Sequence, residues 1–117
     1  MPAPKYEGQR VTFTVPASTA YAPERITLYP LEDMTAGILG VQLLVEAVVA
    51  ACTIELWMAK IGATDLTADA SYFLSSNTFS GATAGSTYWP MVSWPAVQLR
   101  VKGGGTSGSL IVNATAD

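Results

Sequence analysis

The longest apolar run of the chain, GVQLLVEAVVAACTIELWMAK at residues 40–60, alternates between apolar and polar positions with a period of two. This is the period of a β-strand, whose successive side chains point to opposite faces. The phase of the alternation changes between Ala50 and Cys52. A pleated strand cannot absorb an odd shift without a bulge or a turn, so we expect two strands that meet there through a tight connection. These strands are expected to be the central strands of the core.

A helix and a membrane span are the alternative interpretations of residues 40–60. A helix would keep the polar residues on one stripe, whereas this run does not, and it is rich in β-branched residues that favour strands. A membrane span needs about 20 mostly apolar residues, and Gln42, Glu46 and Glu55 interrupt this run. We therefore expect strands and no membrane association.

Shorter alternating segments bounded by Pro, Gly, Asp or Ser predict the remaining strands. These segments are residues 10–15, 25–29, 70–74, 97–102 and 110–116. The glycine-rich residues 103–108 are expected to join the last two strands as a hairpin, because glycine adopts positive φ at little cost. About seven strands with no helical segment and no internal repeat predict an all-β domain over residues 11–117, an antiparallel β-sandwich of jelly-roll or Ig-like type.

The inward-facing positions of these strands define the expected core. We expect nearly complete burial of the following aliphatic residues: Val41, Leu43, Val45, Ile54, Leu56, Val97, Leu99 and Val101. Cys52 is expected on the same inner face, as a small buried hydrophobe. Because it is the only cysteine, it cannot form an intrachain disulfide.

Residues 1–10, MPAPKYEGQR, follow neither apolar period and predict an extended N-terminal arm. Such an arm is either a free chain end or a segment that docks on a neighbouring subunit or another partner. Lys5, Tyr6 and Arg10 are its candidate interface residues, and Tyr and Arg are the types that dominate interface energies. The arm has no apolar core of the kind that a signal peptide requires, so we expect a protein assembled in the cytoplasm.

Two later segments add aromatic candidates for an interface. Residues 75–87 predict a long Ser/Thr/Gly-rich loop around Phe79, which is either mobile or a contact segment. Residues 88–95, YWPMVSWP, contain two Trp-Pro pairs that stiffen the chain. Their rings either pack in the core or face a partner, and those taken as interface candidates are Tyr88, Trp89 and Trp94.

Composition and charge exclude several classes of function. Only 13% of the residues are charged and 50% are hydrophobic, which leaves apolar surface for a partner. The net charge of -3 and the scattered basic residues argue against nucleic-acid binding. There is no histidine, the adjacent Glu32 and Asp33 point apart in an extended chain, and Asp65 and Asp69 are expected to form turns. We therefore expect no catalytic residues, no metal site, no cofactor and no enzymatic activity.

Several segments of the chain resemble small virion proteins of tailed bacteriophages. They are YPL with the acidic loop that follows it, TIELWMA, the Ser/Thr/Gly-rich loop, and the closing VQLRVKGGGTSGSLIVNATA. In size and composition the chain is most similar to head decoration, or cement, proteins, and the resemblance spans residue 27 to the C-terminus. It implies a β-sandwich, often trimeric, on the capsid surface of the virion, which binds the outer surface of the major capsid protein lattice and strengthens the head. No motif transfers a role to a particular residue.

A second hypothesis is a carbohydrate-binding or receptor-binding domain of a phage tail. In that case Trp57, Tyr88, Trp89 or Trp94 would stack on sugar rings. Binding to purified capsids or to glycans would distinguish the two hypotheses.

Overall fold

The computed structural model describes most of the chain. The described ranges are residues 9–28, 39–48, 51–60, 62–81, 83–85, 87–88, 91–92 and 96–116. The predictions made for Lys5, Tyr6, Trp89 and Trp94, and for the arm before Gln9, lie outside these ranges.

Strands dominate the described residues, which contain one short helical element, a 3-10 helix at Asp69–Ser71. The strands are β1 (Gln9–Val15), β2 (Ile26–Leu28), β3 (Leu39–Val48), β4 (Cys52–Ala59), β5 (Tyr72–Ser80), β6 (Thr87–Tyr88), β7 (Met91–Val92), β8 (Val97–Gly103) and β9 (Gly108–Ala116). The first strand begins at Gln9, one residue before the predicted start.

The strands form two antiparallel sheets packed face to face. Sheet one has the order β1-β9-β3-β6, with β7 also pairing with β3, and sheet two has the order β2-β8-β4-β5. Four of the antiparallel pairings are nested along the chain, as in one long hairpin. They are β1/β9, β2/β8, β3/β6–β7 and β4/β5. The additional pairs β3/β9 and β4/β8 roll that hairpin into two sheets, which is a jelly-roll arrangement. The predicted antiparallel β-sandwich is confirmed. Of the two predicted types, jelly-roll and Ig-like, its strand order is that of the jelly roll.

The core lies between the two sheets, as the alternation predicted. Leu43, Val45, Ile54, Leu56, Val97, Leu99 and Val101 are all fully buried. Cys52 is also buried on this face and is a free thiol, in agreement with the prediction. The side chain of Val41 is outside the described set.

The predicted connection between the two central strands is confirmed in position. Strand β3 ends at Val48 and β4 begins at Cys52, and the chain passes from sheet one to sheet two between them. A further irregularity, a register shift between Val45 and Ala47, interrupts the alternation within β3 itself.

The predicted hairpin at the C-terminus is wrong. Strands β8 and β9 belong to different sheets, so the glycine-rich segment crosses the sandwich. Stacked sheets lie about 10 Å apart, a distance that a loop of this length spans easily. The predicted role of glycine in this segment is confirmed at Gly105, whose φ of 105° is positive.

The predicted loop over residues 75–87 is wrong in its first half. Residues Ser75–Ser80 continue strand β5, which pairs with β4 on both sides of a register shift. The Ser, Asn and Thr residues of this segment do not alternate between apolar and polar positions, so the sequence did not predict a strand. Such residues form a strand here because β-propensity depends on the neighbouring strand more than on the residue itself.

Candidate interaction surface

The outer face of sheet two carries polar side chains that are buried. Glu55 of β4 is 6% exposed, and Gln98 and Arg100 of β8 are 1% and 8% exposed. Alternation directs these residues away from the core, so another part of the chain must cover them. Two segments do so, one around Tyr21 and one that contains the 3-10 helix.

Arg100 is the centre of this buried polar cluster. Its Nε donates to Gln98 Oε1 at 2.6 Å, its Nη2 donates to the Asp69 carbonyl at 2.7 Å, and its guanidinium lies 3.8 Å from the centroid of the Trp57 ring. Gln98 Nε2 in turn donates to Thr27 Oγ1 and Asp69 Oδ1. Burial lowers the pKa of Arg100, and the nearby Asp69 carboxylate opposes this effect. The cluster therefore fixes the 3-10 helix on the sheet.

Tyr21 covers the other side of the same face. Its ring meets Trp57 edge to face at 6.2 Å between centroids. A hydrogen bond to Glu55, together with burial, raises the pKa of the Tyr21 hydroxyl. Trp57 Nε1 also donates to Glu55 Oε1 at 3.2 Å. One carboxylate thus holds both aromatic side chains in place.

Trp57 is therefore not a free platform for a sugar ring. One face of its indole is covered by Arg100, its N–H is used by Glu55, and Tyr21 packs against it. On that face, a stacked sugar would have to displace the buried guanidinium, which would then lose its hydrogen bonds to Gln98 and to the Asp69 carbonyl.

The two Asp residues expected to form turns lie in the covering segment. Asp65 Oδ1 accepts from the Thr67 N–H at 3.0 Å and from its hydroxyl at 2.5 Å, which lowers the pKa of Asp65. This confirms the turn role of Asp65. Asp69 also holds Gln98 and lies 3.5 Å from Arg25, a role that its sequence context did not indicate.

Phe79 and Tyr88, two of the interface candidates, contact each other. Their ring centroids are 4.9 Å apart, and the Tyr88 hydroxyl donates to the Ser80 carbonyl at 2.8 Å. Both rings pack against the core cluster. Because Phe79 is in β5 and Tyr88 in β6, the pair joins the two sheets along one side of the sandwich.

The outer face of sheet one is different, because it is open to solvent. Arg10, Thr12 and Thr14 of β1 and Asn113 of β9 are exposed, and Leu44 and Ile111 are half-buried between polar neighbours. We call the surface formed by Arg10, Thr12, Leu44, Ile111 and Asn113 the open face. Sequence alternation predicted that Thr12 points outward, but it gave no reason to single out Leu44, Ile111 or Asn113.

Strand register orders the residues of the open face into rows. Arg10 lies beside Asn113, Asn113 beside Leu44, and Leu44 beside Thr87. Thr12 lies beside Ile111 in the next row. Neighbouring strands are about 4.8 Å apart, so a row combines a cation, an amide, an apolar side chain and a hydroxyl within about 15 Å.

Arg10 is the interface candidate that the structure places on this open face. Its Nε lies 2.7 Å from Glu46 Oε2, and the side chains of the two residues are 60% and 29% exposed. An exposed ion pair of this kind contributes little to stability. Its position on the exposed outer face of the edge strand β1 is more informative than the energy of this ion pair.

The lateral edge beside the open face is protected by side chains. Glu24 accepts from the Thr14 N–H at 2.7 Å and from the Thr14 hydroxyl at 2.9 Å. Gln9 Nε2 donates to the Thr27 carbonyl at 2.6 Å, which ties the start of β1 to sheet two. Such contacts hinder another strand from pairing with this edge.

Exposed large apolar side chains also occur on sheet two. Within the described ranges these are Tyr21, Phe73 and Leu74, at 38%, 39% and 45%. Phe73 and Leu74 are adjacent in β5 and point to opposite faces, so they do not form one continuous patch.

The described residues offer neither a metal centre nor a membrane-spanning helix. These residues contain no group of three or more His, Cys, Asp or Glu side chains that could hold a metal ion. They also contain no helix of the length and apolar character that crossing a bilayer requires. No protein-family model matches the chain, and no curated protein matches it in sequence.

Proposed function

We propose that the protein is a non-enzymatic structural protein of a tailed-bacteriophage virion, a head decoration or cement protein. In this proposal it forms a homotrimer on the capsid, binds the outer surface of the major capsid protein lattice and stabilises the head. The sequence resemblance motivates the proposal. The fold is compatible with it, since jelly rolls occur in viral capsid proteins as well as in lectins.

The difference between the two outer faces carries the proposal. Sheet two uses its polar and aromatic side chains to bind its own loops, with Arg100 and Glu55 at the centre. Sheet one leaves Arg10, Thr12 and Asn113 exposed around half-buried Leu44 and Ile111. A polar surface with an Arg and a few apolar side chains is suited to docking on another protein.

Carbohydrate binding receives less support from the described residues. One face of the Trp57 ring is covered by Arg100, and Tyr88 contacts Phe79 and donates to the Ser80 carbonyl. None of the described aromatic residues lies on the open face, and aromatic rings are what a stacking platform for sugars needs.

Co-sedimentation with purified heads of the phage that encodes the chain, prepared without this protein, tests the proposal. Thr12→Glu places a charge on the open face and should weaken binding at least tenfold, or about 1.4 kcal/mol. Thr53→Glu is the matched control, because Thr53 is also an exposed strand threonine but lies on sheet two. Light scattering on the same samples measures the oligomeric state.

The outcome has two clear alternatives. Binding by the wild type and by Thr53→Glu, with loss in Thr12→Glu, would support the proposed surface. No binding of the wild type to heads, together with binding to a glycan array, would replace the capsid proposal with the carbohydrate-binding one.

A further inference from the structure

We infer that Arg10 binds a carboxylate of the capsid subunit on which the protein docks. This inference rests on the proposed function and specifies the chemistry of the partner. The observations behind it are the hydrogen bond of Arg10 to Glu46 and the exposure of the Arg10 side chain.

Among the described residues, Arg10 forms a hydrogen bond to Glu46, and this bond uses one of the five N–H donors of its guanidinium. Its Nε donates to Glu46 Oε2 at 2.7 Å, and this is the hydrogen bond that the guanidinium makes to the described residues. The two terminal nitrogens, which form the fork of the side chain, make no hydrogen bond to the residues that the structure describes, so an incoming group can bind them. The side chain is 60% exposed, so a partner can reach them.

Glu46 orients this fork without saturating it. A guanidinium has five N–H donors in a rigid plane, and a contact through Nε fixes that plane while the terminal nitrogens remain free. The two terminal nitrogens of such a planar group can donate two parallel hydrogen bonds to the oxygens of one carboxylate. Because Glu46 comes from β3 and Arg10 from β1, the orientation is built into the sheet before any partner binds.

A protein carboxylate fits better than a polyanion such as nucleic acid. The chain has a net charge of -3, which repels a phosphate backbone, and the described residues of the open face include no second cation that could follow one. A single Arg beside hydroxyl, amide and apolar side chains is instead typical of a protein interface.

The neighbours of Arg10 describe the rest of the complementary surface. Leu44 lies two strands from Arg10 in the same row, with Asn113 between them, which places it about 10 Å away. Ile111 lies in the adjacent row, beside Thr12. The partner should therefore present a carboxylate and, about 10 Å from it, an apolar side chain that meets Leu44 and Ile111.

The test compares the binding of Arg10 variants and a control variant to heads by co-sedimentation. Arg10→Gln should bind at least tenfold more weakly than the wild type. Arg10→Lys should show a similar loss, because Lys keeps the charge but not the fork. Lys60→Gln is the matched control, because it removes an exposed cation at the end of β4, on sheet two, and it should stay within about twofold of the wild type. Melting curves check that all variants are folded.

A second arm of the test asks whether the group on the capsid is a carboxylate. Carbodiimide coupling of a small amine converts exposed carboxylates on the heads into neutral amides. Wild-type binding to the treated heads should fall to the level of Arg10→Gln, and Arg10→Gln itself should bind treated and untreated heads alike.

The results separate this inference from the proposed function. If the wild type binds heads but Arg10→Gln or Arg10→Lys binds equally well, or if treated heads bind the wild type undiminished, the carboxylate contact is wrong and the capsid proposal stands. If the wild type does not bind heads at all, the proposed function fails and the contact fails with it.

Discussion

Arg100 is a charged residue that the fold keeps almost entirely from solvent. Burying a charge is costly unless hydrogen bonds and nearby charges compensate. Arg100 has both, because its N–H groups donate to Gln98 and to the Asp69 carbonyl, and its plane stacks on Trp57. The residue therefore holds a covering segment on the sheet, and it would be misread as a surface cation from its alternating position alone.

Arg100→Lys should destabilise the protein by about 2 to 3 kcal/mol, because a Lys cannot stack on Trp57 and cannot reach both acceptors, and a hydrogen bond to a charged group is worth about that much. Urea unfolding measures the change. Arg10→Lys is the control and should change stability by less than about 0.5 kcal/mol, because Arg10 is exposed. Equal effects of the two substitutions would show that the buried cluster does not contribute as described.

Cys52 should react slowly with a thiol reagent in the folded protein. Its side chain is buried beside the core, and burial raises the pKa of the thiol, so less thiolate is present at neutral pH than in an exposed cysteine. The rate measured with a chromogenic disulfide should rise sharply in urea, and in the folded state it should rise only toward alkaline pH. A reaction as fast in buffer as in urea, or a dimer that reductant removes, would contradict this placement.

At the level of elements, β1 is an edge strand, and the carboxylate of Glu24 binds to its unpaired edge at Thr14. Glu24 accepts two hydrogen bonds from Thr14. Burial raises the pKa of Glu24, but these hydrogen bonds outweigh that effect and leave the pKa below its usual value of 4.5. A lowered pKa in the folded state means that the ionised form stabilises the fold. This contribution is present above pH 4.5 and is lost as the pH falls through the folded-state pKa.

Glu24→Gln should therefore remove part of the acid sensitivity of the protein. The stability of the wild type should fall more than that of Glu24→Gln between pH 5 and the acid limit of folding, as measured by urea unfolding at each pH. Thr14→Val, which loses the hydroxyl donor but keeps the N–H, should lie between the two. Parallel pH profiles for all three proteins would show that this carboxylate does not stabilise the edge.

The sequence predicted the elements better than it predicted their pairing. Strict alternation identified β1, β4 and β8, because each has one face in the core, as at Phe13, Leu56 and Leu99. It did not identify the second half of β5, whose Ser, Asn and Thr residues lie in a strand because β4 pairs with them. It also placed β8 and β9 in one hairpin, since local sequence does not show which sheet a strand joins.

The candidate surface could be predicted only in part. Arg10 was singled out by residue type and proved to lie on the open face, whereas Leu44, Ile111 and Asn113 are brought beside it by pairing of β1, β9 and β3. Likewise, burial of Glu55, Gln98 and Arg100 depends on segments distant in the chain. Contacts of this kind follow from topology, which the alternation of a single strand does not contain.

At the scale of the whole molecule, the proposed function gives the residues before Gln9 a role in assembly. Strand β1 starts at Gln9, whose side chain donates to the Thr27 carbonyl, and the next residue, Arg10, contacts Glu46. Residues 2–8 contribute neither of these contacts. They contain Pro2, Pro4, Lys5 and Tyr6, and prolines reduce the entropy that a segment loses when it binds.

Deletion of residues 2–8 should leave the melting temperature nearly unchanged but weaken assembly or binding to heads at least tenfold, about 1.4 kcal/mol. Deletion of residues 2–10 is the matched control, and it should also lower the melting temperature, because it removes the Gln9 hydrogen bond to sheet two and the Arg10 ion pair. Calorimetry, light scattering and co-sedimentation measure the three quantities on the same samples. If the shorter deletion bound heads as tightly as the full chain, and light scattering gave a monomer for both, the arm and the trimer would both have to be abandoned, while the open face would remain as the docking surface of a monomer.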